Sequence, residues 1–298
     1  MVITPRHRHL DGEALAKLGN LQLRVQAVVE GSLAGLHRSP HHGSSIEFAE
    51  HKEYAPGDDI RRIDWKAYAR FDRYYVRQFE DETELRAYFL LDASGSMGYG
   101  APLSKLEYGS VLVASLAYLL ARQRDQPSLL AFAEDVRCYL PPRGRTAHLS
   151  HFLTALEELA PSGRTDLGRA IHYLTDVIGR RSFVLVVSDL FDAHPDALRL
   201  LRQLRARGHR VVLFHLLHED ELGLPFGDLT LFEAMEDTRS VLVDPGGIRK
   251  LYLKEMERFL ERTREACRQG EIGYHQISPG QPVDQVLLRF LSSKRGRR

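Results

Sequence analysis

From Ser104 onward, apolar positions alternate between stretches of helical period and short runs that are apolar at every position, the pattern of an α/β chain. Ala87–Leu91 and Ser182–Val187 read as strands covered on both faces. Ser104-Lys-Leu-Glu107 is a capping-box sequence opening a helix that reaches Arg122. Ser128–Phe132 and Val136–Leu140 read as strands joined by a tight turn at Glu134-Asp135, which makes one of them an antiparallel edge. Thr146–Leu159 and Asp166–Ile178 read as helices, the second with Leu167, Ala170, Ile171, Leu174 and Ile178 on one face. Further on come a helix over Pro195–Arg207 stopped by Gly208, a strand over Arg210–His215, and a long helix from Pro245 to about Arg268, closing near Gly270. A strand over Ile272–Ile277 and a helix over Val283–Leu291 follow. The expected fold is α/β, a doubly wound, mostly parallel sheet with 87–91 and 183–187 as neighbouring inner strands and helices on both faces.

The front of the chain reads differently. Glu13–Gly31 has the period of one helix, with Leu15, Leu18, Leu21, Val25, Val28 and Val29 as its stripe. Gly35–Asp72 is rich in Gly, His, Pro and charge, and a stretch of that length is usually functional or carries its own irregular structure. Arg73–Phe79 alternates with period two and is expected to pair with 87–91 as a hairpin. The expected organisation is an N-terminal helix and irregular extension (1–84) packed on an α/β domain (85–291), then a basic tail (292–298).

Composition narrows the function classes. Over 298 residues, 43% hydrophobic and 27% charged residues exclude disorder and a fibrous repeat. Lys+Arg 41 against Asp+Glu 40 leaves a net charge of +1, which removes the argument for bulk nucleic-acid or anionic-membrane binding. The basic Lys294–Arg298 tail reads as solvated. Two cysteines, Cys138 and Cys267, are too few for a disulfide framework or a thiolate zinc site. His7, His9, His41 and His42 lie in apparent loops without helical i, i+4 pairing and read as solvated. The apolar stretch Val111–Ala121 falls short of the ~18–20 residues of a membrane span, and the first residues lack the apolar core of a signal peptide. A cytoplasmic protein without a transmembrane segment is expected.

Three oxygen-rich motifs fall where a doubly wound sheet binds ligands, beyond the carboxyl ends of its strands. Asp92-Ala-Ser94-Gly-Ser96 follows the first apolar strand, Ser188-Asp189 follows the second, and Gly163-Arg-Thr165-Asp166 stands at the entry of a helix. Hydroxyls of Ser94, Ser96 and Thr165 with carboxylates of Asp92 and Asp189 are ligands for a hard cation such as Mg²⁺. A mixed arrangement is expected, with hydroxyls bound directly and carboxylates acting partly through water, leaving the ion able to attract an outside carboxylate. Singly, each motif has a plainer use: Thr165 as a helix N-cap, Asp189 as a turn cap, Ser94 and Ser96 as turn residues.

Asp92-Ala-Ser-Gly-Ser96 with Thr165 and Asp189 resembles the metal-ion-dependent adhesion site of von Willebrand factor A domains, a likeness that covers roughly residues 85–280. The resemblance implies a von Willebrand A-like fold and a Mg²⁺ (or Mn²⁺) ion whose coordination a partner's Asp or Glu completes. A second likeness lies in front of it. Gly35-Leu-His-Arg-Ser39, Glu47-Phe48, Tyr54-Ala-Pro-Gly-Asp-Asp-Ile-Arg-Arg-Ile-Asp-Trp65, Ala69-Arg70 and Glu80/Glu82 are similar to the signature of the bacterial domain of unknown function 58 family. Such proteins carry this block before a von Willebrand A-like domain and usually accompany a MoxR-type AAA+ ATPase, which implies an adaptor or co-chaperone. Many members have transmembrane helices before the signature; here only the 13–31 helix stands there. Asp58, Asp59, Arg61, Arg62, Asp64 and Arg70 around Trp65 suit an ion-pair network pinning the loop, or a docking surface on Arg61, Arg62 and Trp65.

No GxxxxGK[ST], GxGxxG or GxSxG motif is present. Ser94 stands where a haloacid dehalogenase-type phosphotransferase needs its second carboxylate, and Gly57-Asp-Asp59 lacks a polymerase's strand-turn-strand context. Two classes remain: a metal-dependent protein-interaction module, and a Mg²⁺-dependent hydrolase using Asp92 or Asp189 as base. With no further acid–base pair in view, the non-enzymatic module is the expectation.

Overall fold

In the computed structural model the apolar runs become adjacent strands of one six-stranded sheet. The structure describes residues 15–16, 20–37, 51–53, 68, 73–77, 85–179, 181–191, 196–236 and 238–293. They fall into two units, Met1–Arg38 with Leu85–Arg298, and Ser39–Glu84.

The first helix differs from its expected bounds. Leu15 and Ala16 are helical, but α1 runs over Leu21–His37. Its start is set by Asn20, whose side-chain oxygen accepts from Leu23 N at 2.8 Å, as an N-cap does. Gly31 does not end the helix; it lies within it, where an added Cβ would stand 3.6 Å from the Asp284 carboxylate.

In the smaller unit, β1 (His51–Glu53) pairs antiparallel with β2 (Tyr75–Arg77). The hairpin predicted between 73–79 and 87–91 therefore does not form. The reason is that the strand containing 87–91 has both edges taken by parallel neighbours in the large sheet. Asp58, Asp59, Arg61, Arg62, Asp64, Trp65 and Arg70 lie outside the described residues, as do His7, His9, His41, His42 and the 294–298 tail.

The larger unit continues with β3 (Arg86–Asp92), α2 (Lys105–Arg122), β4 (Gln126–Phe132), β5 (Val136–Leu140), α3 (Thr146–Glu157) and α4 (Leu167–Val177). Then follow β6 (Phe183–Ser188), α5 (Ala197–Ala206), β7 (Arg210–Leu216) and the short α6 (Glu219–Gly223). A hairpin of β8 (Thr230–Glu233) and β9 (Ser240–Val243), α7 (Pro245–Gln269), β10 (Gly273–Ile277) and α8 (Val283–Ser293) complete it. The sheet order is β10-β7-β6-β3-β4-β5, parallel throughout except for the β5 edge. The winding reverses between β3 and β6, which makes their carboxyl ends the switch point.

Alternate residues of each inner strand feed two separate cores. Ala87, Phe89 and Leu91 join Leu185 and Val187 beneath α1, α2 and α8; Tyr88 and Leu90 join Val184 and Val186 beneath α4 and α5. Both faces are dry, which is why these strands read as apolar at every position. The Ser104 capping box is present, its hydroxyl accepting from Glu107 N while the Glu107 carboxylate accepts from Ser104 N. Among the described residues no helix is long and apolar enough to cross a membrane.

Phe89 is fully buried edge-on against Phe152, with ring centroids 6.0 Å apart. Phe89→Ala should lower unfolding stability by about 3–5 kcal/mol, and Ser104→Ala by about 1 kcal/mol, in urea titrations followed by circular dichroism.

Candidate metal centre

The sheet sets the end of β3 beside the end of β6, and Asp92 ties the two together. Asp92 Oδ2 accepts from Ser188 Oγ at 2.7 Å and from Thr165 Oγ1 at 2.8 Å, while Oδ1 accepts from Ser94 N at 2.9 Å. Ser94 and Ser96 turn their hydroxyls to within 3.2 Å of one another. The loops carrying them are laced by backbone bonds, Gly95 N to Gly163 O and Ser162 N to Ala93 O. Thr165 is not the cap of α4; that role belongs to Asp166, which accepts from Arg169 N, so the Thr165 hydroxyl is free to face Asp92. Asp189 accepts from Phe191 N through Oδ1 at 3.0 Å and from Lys105 Nζ through Oδ2 at 2.7 Å. All five predicted oxygen donors thus lie at this switch point. The predicted docking residues Arg61, Arg62 and Trp65 lie outside the described residues.

Sequence reading missed Lys105 and Glu221, and it placed Ser188 in a motif without giving it the bond to Asp92. Lys105 is fully buried; its ammonium bridges Asp189 to Glu221 of α6 and stands 5.2 Å from the centre of the Phe191 ring. A signal was present, because Lys105 shares the helical stripe of Tyr108, Gly109 and Leu112 (i+3, i+4, i+7), all buried.

Asp189 and Glu221 share that single ammonium and Asp92 has no cation of its own among the described residues, so with all three carboxylates ionised two negative charges are unbalanced. Burial, and then the charge of Asp189, pushes the Asp92 carboxyl up to about 6 against the opposing hydrogen bonds from Ser188 and Ser94. Burial likewise raises Glu221, opposed by Lys105. His215, which meets Asp189 O through Nε2 and Tyr274 OH through Nδ1, both at 2.9 Å, adds no compensating charge near pH 7, because burial lowers it to about 4.

An excess of two buried negative charges beside hydroxyl oxygens fits a hard divalent cation. Adjacent vertices of an octahedron with bonds of about 2.1 Å are roughly 3.0 Å apart, close to the 3.2 Å between the Ser94 and Ser96 hydroxyls. Among the described residues no three of His, Cys, Asp and Glu gather as metal ligands, so the donor set is hydroxyl-rich and unlike that of zinc. Asp92, Ser94 and Asp189 are fully buried, Thr165 is 7% exposed and Ser96 is half-buried.

Residues 50–261 match the family described as "Protein of unknown function DUF58". The uncharacterized proteins Rv1480 of Mycobacterium tuberculosis and Mb1516 of Mycobacterium bovis are each 30% identical over 241 residues, 79% of this chain and 75% of theirs. Among solved structures, the conserved hypothetical protein BatB from Bacteroides thetaiotaomicron is similar with a TM-score of 0.48 at 17% identity, over 71% of this chain and 99% of that one. The SpRpn10 VWA domain is similar with a TM-score of 0.42 at 12% identity, over 68% of this chain and 93% of that one.

In the absence of divalent metal, ionisation of Asp92 opposes folding. Its carboxyl titrates at about 6 when folded, against about 3.9 unfolded. The folded chain therefore holds the proton longer, and stability falls as pH rises from about 4 through about 6. Thermal melts in EDTA should show that decline, and Asp92→Asn should flatten it.

Proposed function

We propose that this chain, which belongs to the DUF58 family, is a protein-interaction module that works through a Mg²⁺ (or Mn²⁺) ion held by Ser94, Ser96, Thr165, Asp92 and Asp189. The observation that carries the reading is the buried charge imbalance: Asp92 and Asp189 sit out of water with only Lys105, itself shared with Glu221, to offset them. The hydroxyls of Ser94 and Ser96 hold the ion directly; Asp92 and Asp189 anchor it directly or through water, and Thr165 and Ser188 orient Asp92. When bound, the ion supplies a Lewis-acidic position that attracts an Asp or Glu of another protein.

Non-catalytic action is favoured because both carboxylates are already engaged. Asp92 accepts from three groups and Asp189 from two, which leaves neither poised to take a proton from an attacking water. The partner we propose, on the family resemblance, is a MoxR-type AAA+ ATPase, with this chain as its adaptor or co-chaperone.

Calorimetric titration should show Mg²⁺ or Mn²⁺ binding that Asp92→Ala abolishes, and equal affinity in the variant would end the metal assignment. Capture of the ATPase should weaken at least tenfold in EDTA and in Ser96→Ala, the range expected when a metal-site group is lost. Metal-dependent turnover of a phosphoester or peptide, abolished by Asp189→Ala, would instead establish the hydrolase.

A further inference from the structure

β10 is the outermost strand on its side of the large sheet, and among the described residues it pairs with β7 alone. Its register with β7 runs unbroken over Gly273–Ile277, with no proline, lysine or bulge to blunt the outer edge. Leu217 N donates to Ile277 O at 3.0 Å, which turns the backbone polar groups of Ile277, and by alternation those of His275 and Gly273, toward β7. Tyr274 and Gln276 therefore point their N–H and C=O groups to the outer edge, and both residues are partly exposed.

The first residues of β10 share a groove of about 1100 Å³ with Arg205, Arg210, Arg264, Arg268 and Glu271. Glu271 pairs with Arg205 at 2.7 Å and, beside the groove, Glu265 pairs with Arg268 at 2.7 Å; both pairs are exposed and so open to exchange. Arg264 meets the neutral side-chain oxygen of Gln276 at 2.7 Å, and neither it nor Arg210 has an acidic partner among the described residues. Four guanidiniums against two carboxylates leave a local excess of two positive charges, on a chain whose net charge is only +1. Arg264 and Arg268 stand one helical turn apart on α7, about 6 Å along its axis. Alternate side chains of an extended chain are spaced about 6.6 Å, nearly the same interval. We propose that this groove docks an extended acidic segment of another protein, which adds to the outer edge of β10 as a seventh strand and sets alternate carboxylates against Arg264 and Arg268.

Main-chain pairing separates this occupant from a nucleic acid. The edge offers donors and acceptors in turn, which a peptide backbone matches with its own; a DNA backbone brings acceptors alone and would leave the Tyr274 and Gln276 carbonyls unmet. Exposed guanidinium forks add specificity for carboxylates, which they can hold through two parallel hydrogen bonds. The groove lies at the amino ends of β7 and β10, whereas Asp92 and Asp189 lie at the carboxyl ends of β3 and β6. This contact is therefore separate from the metal centre and does not rest on it.

The probe is a fluorescein-labelled ten-residue peptide alternating glutamate and valine, titrated into the full chain and followed by fluorescence anisotropy. The double variant Arg210→Gln/Arg264→Gln should bind it about tenfold more weakly at an unchanged melting temperature, and affinity should fall as salt is added. The same peptide N-methylated along its backbone keeps every charge but loses its main-chain donors, and the wild type should bind it at least about tenfold more weakly. EDTA should leave binding of the unmodified peptide as it is. Equal binding of the two peptides by the wild type would overturn strand addition, whatever the arginine variant does. Tighter binding of an oligothymidylate of equal charge would overturn it in favour of a nucleic-acid site, and loss of peptide binding in EDTA would move the contact to the proposed ion. No binding of either peptide by the wild type at low salt would remove the groove as a docking site.

Discussion

The Asp92 carboxylate is buried where three separate segments meet, and it is satisfied by all three. Ser94 reaches it from its own loop, Ser188 from the next strand of the sheet, and Thr165 from the approach to α4. A charge out of water is tolerated only when hydrogen-bonded or paired. The register of β3 on β6 and the path of the Thr165 loop are therefore tied to one side chain. The geometry that burial of Asp92 requires also leaves the serine hydroxyls turned toward one another.

Lys105 sets the electrostatic terms. A single fixed ammonium cannot balance Asp92, Asp189 and Glu221, so the cluster stays negative yet less so than three bare carboxylates would be. In the proposed centre, that residual charge would attract a divalent ion without holding it so tightly that its remaining coordination positions lost their pull on outside ligands. The same ammonium joins the end of β6 to α6, whose Glu221 carbonyl accepts from Tyr252 of α7. Local charge and the placing of the helices behind the centre thus share one side chain.

Much of this was legible in sequence because it follows from periodicity and chain order. Strands apolar at every position announced a sheet covered on both faces, and Asp92 and Asp189 declared themselves by standing at the ends of such strands. Lys105 was hidden by its own context, since a lysine directly after a capping serine ordinarily points to solvent. The β8–β9 hairpin was illegible because Thr230–Glu233 and Ser240–Val243 are largely exposed and flank no glycine or proline turn. The 75–77 strand was recognisable by its alternation, but alternation says nothing about which strand completes the ladder. Asn20 after Gly19 carried the signal for a fresh helix start, outweighed by a stripe that ran across it.

The unit Ser39–Glu84 is spliced into the larger one, with α1 before it and β3 after it. Val25, Val28 and Val29 of α1 belong to the core beneath α2 and α8. That core cannot be completed until the chain has closed a loop around the whole inserted unit. Loop closure grows only slowly with length but must precede the contacts that reward it. The contacts of α1 with α2 and α8 thus carry the closure cost of that loop, and the inserted unit is covalently anchored at both ends.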